Sequence, residues 1–437
     1  MEHTWYEDAV FYHLYTMSLA QAPRENDYRE TSHRLPEIER WIPHIRELGC
    51  DAILLSPVLK SRSHGYDVTD YFQIDNRLGT NEDFKALVEA FHAAGIRVVL
   101  DSVFNHCGRD FFAFQELQNG NRDYASWFSG VDFSRQSPLG DPFDYDTWSG
   151  HYELVRFNLN NAVTRQYLLD AARFWIDEFD IDGMRLDSAN QLDFAFMRDL
   201  RKMTTAMIPD FWLMGEVVAG DYSRWVNPET LHSVTDYIIY KCLFSSHNSN
   251  NLYELANCLN QAVPNHGFGL YQFLDNHDQP RIASNVNDPA FLNTLYTLLF
   301  TLPGIPSIYY GSEWGIAGAK ESGSDAPLRP YIDLSDPPED PLGLTGHIQK
   351  LAAIRGEQSA LRYGGYQQRY LAYHKPFVFE RSWGNECVIV AVNIQGTYET
   401  VPLHDRGRLL DLLSGERFDP GDVTIPPHAS RILIPAD

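Results

Sequence analysis

Positive charge is in short supply in this chain: 35 Lys and Arg stand against 59 Asp and Glu, a formal net charge of −24 at pH 7. Such a field repels phosphates, which argues against nucleic acid and anionic membranes as partners and leaves a neutral substrate unaffected. Cysteine is scarce too. Cys50, Cys107, Cys242, Cys258 and Cys387 are scattered, odd in number and form no C-x-x-C pair, so neither a disulfide framework nor a zinc cluster is expected. The first residues, Met1 to Asp8, hold no basic stretch followed by an apolar one, and no apolar run elsewhere reaches membrane-spanning length. The expectation is a cytoplasmic protein with no membrane partner. Low-complexity tracts are absent, and a hydrophobic fraction of 44% supplies ample core, so disorder is not indicated.

What the chain does have is rhythm. Ala9 to Leu14 reads as a strand, and Leu35, Ile38, Ile42, Ile45 and Leu48 repeat at helical spacing before Gly49. Asp51 to Leu55 is a short continuous apolar run, the pattern of a strand buried on both faces. A helix carrying Phe84, Leu87, Val88 and Phe91 then leads into the strand Ile96–Leu100. The alternation breaks between Cys107 and about Asn161, a stretch rich in Asp, Gly, Ser and aromatics, read as an irregular excursion or small inserted domain. It resumes with a helix over Val163–Phe179 and strands at Gly183–Asp187, Phe211–Val217, Val234–Ile239, Leu270–Leu274 and Ile305–Tyr310, eight candidate strands in all. Repeated βα units of that number predict an α/β fold closed as a (β/α)8 TIM barrel. Beyond about residue 358, short strands separated by turns predict a C-terminal antiparallel β-domain. The expected division is residues 1–106 and 162–357 for the barrel, 107–161 for the insertion and 358–437 for a C-terminal β-sandwich.

In such a barrel the polar residues at the C-terminal ends of strands converge on one mouth. Asp101 to His106 follow the third strand, Arg185 and Asp187 end the fourth, Glu216 ends the fifth, and Asn276, His277 and Asp278 end the seventh. His64-Gly65-Tyr66-Asp67 follows the second. A single strand-end Asp is often a helix cap, and a single His often a satisfied polar residue. Carboxylates at four strand ends are a different matter, because gathering like charges is costly unless chemistry requires it. The alternation of a strand puts Gly183, Arg185 and Asp187 on one face. Aromatic residues at 13%, with 24 Tyr and 9 Trp, fit both stacking on hydroxyl-rich rings and a large core.

These residues resemble the four signature regions of the α-amylase superfamily, glycoside hydrolase family 13: Asp101-Ser102-Val103-Phe104-Asn105-His106, Gly183-Met184-Arg185-Leu186-Asp187, Gly215-Glu216-Val217 and Asp275-Asn276-His277-Asp278. Gly65-Tyr66-Asp67 and Gly304 to Gly311 also look like family elements. The resemblance spans residues 8 to about 355 and implies a barrel, a domain B inserted after the third strand and a C-terminal β-domain. It implies Asp187 as nucleophile, Glu216 as general acid/base and Asp278 as the carboxylate that grips sugar hydroxyls and supports the transition state. It further implies substrate binding by Tyr66, as a platform under the reacting sugar, by Asp67, His106, Arg185 and His277, and by Asp325 and Arg329 at the next sugar. Retaining cleavage of an acetal needs one ionised carboxylate to attack and one acid to protonate the leaving oxygen. On this reading Arg185 aims Asp187, and Glu216, with no cation adjacent in sequence, has the raised pKa of an acid.

Departures narrow the reading. Asn190-Gln191 stands where secreted members carry Lys-His, and Arg156-Phe157-Asn158-Leu159-Asn160 where many carry Pro-Asp. Asn105 matches a calcium ligand of the family, without identifiable carboxylate partners in domain B, so no cofactor is required and calcium is not assigned. No extra β-domain precedes the first strand, so dimerisation through one is not expected. The expected function is a retaining α-glucoside hydrolase that cleaves α-1,4 bonds of maltooligosaccharides or cyclic dextrins through a covalent glycosyl-Asp187 intermediate. The rivals are a transglycosidase or isomerase on the same substrates and a non-catalytic carbohydrate-binding relative; three acids and no anchor weigh against the last.

Overall fold

The computed structural model describes residues 3–262 and 269–436. Eight strands run parallel to their sheet neighbours: β1 (Phe11–Leu14), β2 (Ala52–Leu55), β3 (Arg97–Ser102), β4 (Gly183–Leu186), β5 (Trp212–Gly215), β6 (Ser233–Val234), β7 (Tyr271–Phe273) and β8 (Ile305–Tyr309). With the helices between them they are the complement of a (β/α)8 barrel. The chain forms two compact units, one of residues 14–43 and 52–234, the other of 1–13, 44–51 and 235–437.

In the first unit the strands lie in the order β6, β5, β4, β3, β2. Ala52–Leu55 is buried at every position, as an apolar run without alternation requires. The helices start on polar caps that satisfy otherwise orphaned amides. Thr80 and Asp83 form a capping box on Asn81–Ala93, Asn161 accepts from the amides of Val163 and Thr164 on Ala162–Phe179, and Asp193 accepts from Phe196 on Phe194–Met207. Trp175 packs flat on Phe104 at 5.4 Å and donates through Nε1 to the Tyr71 carbonyl at 2.7 Å. The Tyr71 hydroxyl in turn donates to the carbonyls of Val103 and His106, at 2.8 and 3.0 Å. A fully apolar stack thus ends in two hydrogen bonds that fix the loop after β3. Within the excursion after β3, the strands His106–Gly108, Thr147–Trp148 and His151–Arg156 form a small antiparallel sheet. The expected irregular stretch also contains a helix, Phe112–Gln118, whose Ala113, Phe114 and Leu117 are buried. Its apolar spacing is too short to stand out as a period.

In the second unit β1, β8 and β7 lie side by side. Val234–Ile239, expected as one strand, is split: β6 stops at Val234, and Asp236 caps the helix Tyr237–Asn248 by accepting from the Ile239 amide at 3.1 Å. The cap converts an apolar run into the first turn of a helix. The helix expected across Leu35–Leu48 is likewise two pieces, Pro36–Glu39 and Ile42–Glu47. Cys242 and Cys258 form a disulfide between helices Tyr237–Asn248 and Tyr253–Ala262, a pairing that falls short of a framework and that the scattered cysteines do not announce. The turn between the helices brings together two cysteines that carry no recognisable spacing.

The C-terminal strands form a six-stranded antiparallel sheet, Gly365–Tyr370, Phe377–Trp383, Glu386–Asn393, Ala429–Pro435, Leu409–Asp411 and Arg417–Phe418 in spatial order, with Glu399–Pro402 paired to Asp422–Ile425. Val378, Ile389, Val401, Ile425 and Leu433 share its core. Arg381, fully buried, donates to the carbonyls of Thr301 and Gly364 at 2.6 and 2.9 Å, so helix-end carbonyls supply the negative field that a buried guanidinium needs.

Candidate active site

Register builds the first cluster. Asp101 on β3 pairs with Arg185 on β4, and Met214 on β5 pairs with Arg185 from the other side. Parallel neighbours in register point the same way, so Asp101 and Arg185 share a face, and Asp187, two residues on, joins them. The strand ends are tied one step further: the Asp187 amide donates to the Ser102 carbonyl and the Glu216 amide to the Leu186 carbonyl, both at 2.9 Å. A side chain at Gly215 would meet the Ala189 methyl at 2.7 Å. Only glycine lets β5 run this close to the turn after Asp187.

The outcome is one guanidinium among three carboxylates. Arg185 Nη1 lies 2.7 and 2.9 Å from the two oxygens of Asp101 and 3.1 Å from Asp187 Oδ1, while Nη2 lies 3.0 Å from Glu216 Oε2. Burial opposes the charge on Arg185, but Asp101, Glu216, Tyr66 and Asp187 outweigh it and hold the group well above its usual pKa. Glu216 Oε2 also accepts from the Ser188 amide at 3.0 Å. This corrects the expectation that Glu216 has no neighbouring cation: nothing adjacent in sequence is basic, but the strand register supplies Arg185. The Tyr66 hydroxyl donates to Asp101 Oδ2 at 2.9 Å. His106 is buried, with Nε2 lacking a hydrogen-bond partner among the described residues. Burial, with His64 nearby, holds its pKa down to about 3, so it is a neutral imidazole. Asp67 is buried and accepts from the Ser63 hydroxyl at 2.7 Å, with Oδ1 left without a hydrogen bond.

A second cluster sits in the other unit. Asn276 Oδ1 accepts from the amides of Asp278 and Gln279 at 2.9 and 3.0 Å, which turns the chain after β7. His277 Nε2 lies 3.1 Å from Asp278 Oδ2, and Arg329 Nη2 bridges Asp278 Oδ1 at 2.8 Å and Asp325 Oδ2 at 3.1 Å. Arg281, wholly buried, donates to the carbonyls of Tyr310 and Leu328 and lies over the Tyr309 ring at 4.1 Å, which positions the segment that carries Arg329. Asp275, though part of a signature region, is buried and taken up by the Ile282 amide and the Ser312 hydroxyl, both at 2.7 Å.

The structure therefore gathers Asp101, Asp187 and Glu216 around Arg185, with Tyr66 on Asp101, and His277, Asp278, Asp325 and Arg329 around one another. Sequence reasoning missed three contributors. Asp101 counts in the sequence as one of the strand-end carboxylates without a role of its own, yet it anchors Arg185. Ser188, in the left-handed region at φ 48°, gives its amide to Glu216. Trp148 of the insertion donates through Nε1 to the Ser188 hydroxyl at 2.8 Å. The signal for Trp148 was an aromatic beside Ser149-Gly150 in a polar excursion, a turn pattern that says nothing of its distant partner. Asn105 is buried with its amide 3.4 Å from His106 Nδ1. Among the described residues no group of three or more His, Cys, Asp or Glu is placed to hold a metal ion.

Acids gathered at the strand ends of a parallel eight-stranded α/β fold are an arrangement that glycoside hydrolases use. Residues 34–331 match the family described as Alpha amylase, catalytic domain, and the chain belongs to that family. It is 32% identical over 458 aligned positions to a cyclomaltodextrinase of Geobacillus thermopakistaniensis, covering 97% of this chain and 76% of the relative. It is 31% identical to a maltogenic alpha-amylase of Bacillus acidopullulyticus, covering 82% of this chain and 64% of that one. Among solved structures, a cyclic alpha-maltosyl-(1→6)-maltose hydrolase from Arthrobacter globiformis, in complex with cyclic alpha-maltosyl-(1→6)-maltose, superposes with a TM-score of 0.85 at 29% identity over 98% of this chain and 99% of that one. The protein is a glycoside hydrolase of the α-amylase family, with the (β/α)8 fold that its strand complement announced.

Proposed function

We propose that the protein hydrolyses α-1,4 bonds of maltooligosaccharides or cyclic dextrins with retention, through a covalent glycosyl-Asp187 intermediate. The observation that carries this reading is the sharing of Arg185 by Asp187 and Glu216, since a retaining mechanism needs two closely spaced carboxyl groups, one to attack and one to give a proton. Arg185, 3.1 Å from Asp187 Oδ1, aims that carboxylate at the anomeric carbon. Glu216 protonates the leaving oxygen, then takes a proton from the incoming water. Asp278, oriented by Arg329, is the carboxylate that the family resemblance gives to sugar hydroxyls, and neutral His106 offers a donor that does not change with pH near neutrality. Tyr66 is the platform under that sugar. The names of the relatives, cyclomaltodextrinase and maltogenic alpha-amylase, support the substrate class.

Asp187→Asn and Glu216→Gln are each expected to lower kcat by several orders of magnitude on maltotriose, because nucleophile and acid/base are lost outright. Near-normal turnover in either would overturn the assignment. Proton NMR of the first product should detect the α anomer. A β anomer rejects the covalent role of Asp187, and longer oligomers or a rearranged disaccharide would identify a transglycosidase or isomerase instead.

A further inference from the structure

The two oxygens of Glu216 do not stand in equal surroundings. Oε2 accepts from the Ser188 amide and lies equally close to Arg185 Nη2, both at 3.0 Å. An amide hydrogen and a cation each repel a proton placed on that oxygen. We propose that Trp148, on the inserted sheet, is a positioning residue for Glu216: through Ser188 it keeps the amide on Oε2 and so assigns the acid's proton to Oε1. The proposal rests on the acid/base reading of Glu216 above.

The amide needs a lock because of the backbone that presents it. Ser188 lies at φ 48° and ψ 40°, in the left-handed region that crowds a Cβ against the following carbonyl. A residue stays there only where its surroundings over-determine it. Three contacts do so here. The Ser188 carbonyl accepts from the Gln191 amide at 2.8 Å. Its neighbour Ala189 is pressed so close to β5 that a side chain at Gly215 would meet the Ala189 methyl at 2.7 Å. The Ser188 hydroxyl accepts from Trp148 Nε1 at 2.8 Å. The third contact grips the side chain of Ser188 itself, which is buried and needs a protein partner for its hydroxyl.

Trp148 suits the task by chemistry and by placement. An indole N–H donates and cannot accept, so the bond to Ser188 has one direction. Trp148 pairs with His151 across a two-residue turn, Ser149 and Gly150, at φ 49° and 86°. Positive φ at both positions is the turn whose twist matches the strands it joins, which fixes the tip of the hairpin. The ring is stacked on His151 at 5.4 Å and 26°, and lies 6.0 Å from His106. A hairpin of the insertion thereby reaches the acid/base through two hydrogen bonds, Trp148 to Ser188 and Ser188 to Glu216.

The test compares two substrates on the same variant. α-Maltosyl fluoride expels fluoride without a proton from Glu216, whereas the glucosyl leaving group of maltotriose needs one. Trp148→Phe keeps a ring and removes the donor. The ratio of kcat/KM on maltotriose to that on α-maltosyl fluoride should fall about tenfold, a part of what a general acid supplies, and the fall should be carried by kcat on maltotriose. Partial loss of folded protein lowers both substrates alike and does not move the ratio. An unchanged ratio overturns the proposal, and so does a fall carried by KM, which would make Trp148 a sugar contact. Ser188→Ala removes the acceptor of the same bond, so the double variant Trp148→Phe, Ser188→Ala should fall no further than the worse single change. Losses that multiply also overturn it. Glu216→Gln is the control. If it lowers both substrates equally, the acid role of Glu216 fails and the proposal with it; if it lowers the ratio and Trp148→Phe does not, the proposal alone fails.

Discussion

Arg185 is the residue that gathers the carboxylates, and its planarity is the reason. One nitrogen is divided between Asp101 and Asp187, and the other faces Glu216. A lysine ammonium is a point charge that cannot hold those directions at once. Arg185→Lys is therefore expected to lower kcat about 100-fold, the order expected from a misplacement of about 1 Å, while KM on maltotriose changes little. A change confined to KM would mean that the residue binds substrate and does not position the acids. Asp101→Asn removes the partner that takes two of the bonds and leaves the guanidinium short of charge, so it should lower thermal stability as well as kcat.

At the scale of elements, the site depends on strand ends held in register and on helices that begin where they must. Helix Ala162–Phe179 feeds β4, and its start is set by Asn161, which also ties back to Ser126 through its amide, 2.8 Å from the hydroxyl. Asn161→Ala should cost about 1 kcal/mol of stability, the usual value of an N-cap, and leave kcat on maltotriose within twofold of wild type. The check is paired urea unfolding and steady-state kinetics; a large loss of kcat without loss of stability would mean that the cap acts on the site itself. Helix Tyr237–Asn248 makes the same point about legibility. Val234 to Ile239 looks like a strand by composition, and it was a single Asp236 side chain, bonded to the Ile239 amide, that turned half of it into a helix.

At the scale of the whole molecule, buried neutral histidines give stability a direction with pH. Burial holds His106 and His232 down to about 3 and His247 to about 4, from an ordinary value of 6.5. Between those values the unfolded chain binds protons that the folded chain refuses. Stability is therefore complete above about pH 6.5 and falls as pH drops toward 4, by at most about 1.4 kcal/mol per pH unit for each histidine. Thermal midpoints measured from pH 7 to 4.5 should decline steadily, and His247→Gln should flatten the decline. A midpoint that holds constant or rises on acidification would refute the account. Among the described residues no helix is long and apolar enough to cross a membrane.

Local pattern was enough for the number and order of the parallel strands, the C-terminal antiparallel strands and the candidate acids, because apolar runs, caps and strand-end carboxylates are written in adjacent residues. It even marked Arg185 and Asp187 as sharing a face, since the period of a strand is two. Tertiary structure alone decided who stands beside whom. Asp101 and Glu216 meet Arg185 only through strand register, Cys242 meets Cys258 only through a helix turn, and Trp148 meets Ser188 across 40 residues of sequence. Those contacts join groups that the fold brings together, and no local period encodes a distance between residues so far apart in the chain.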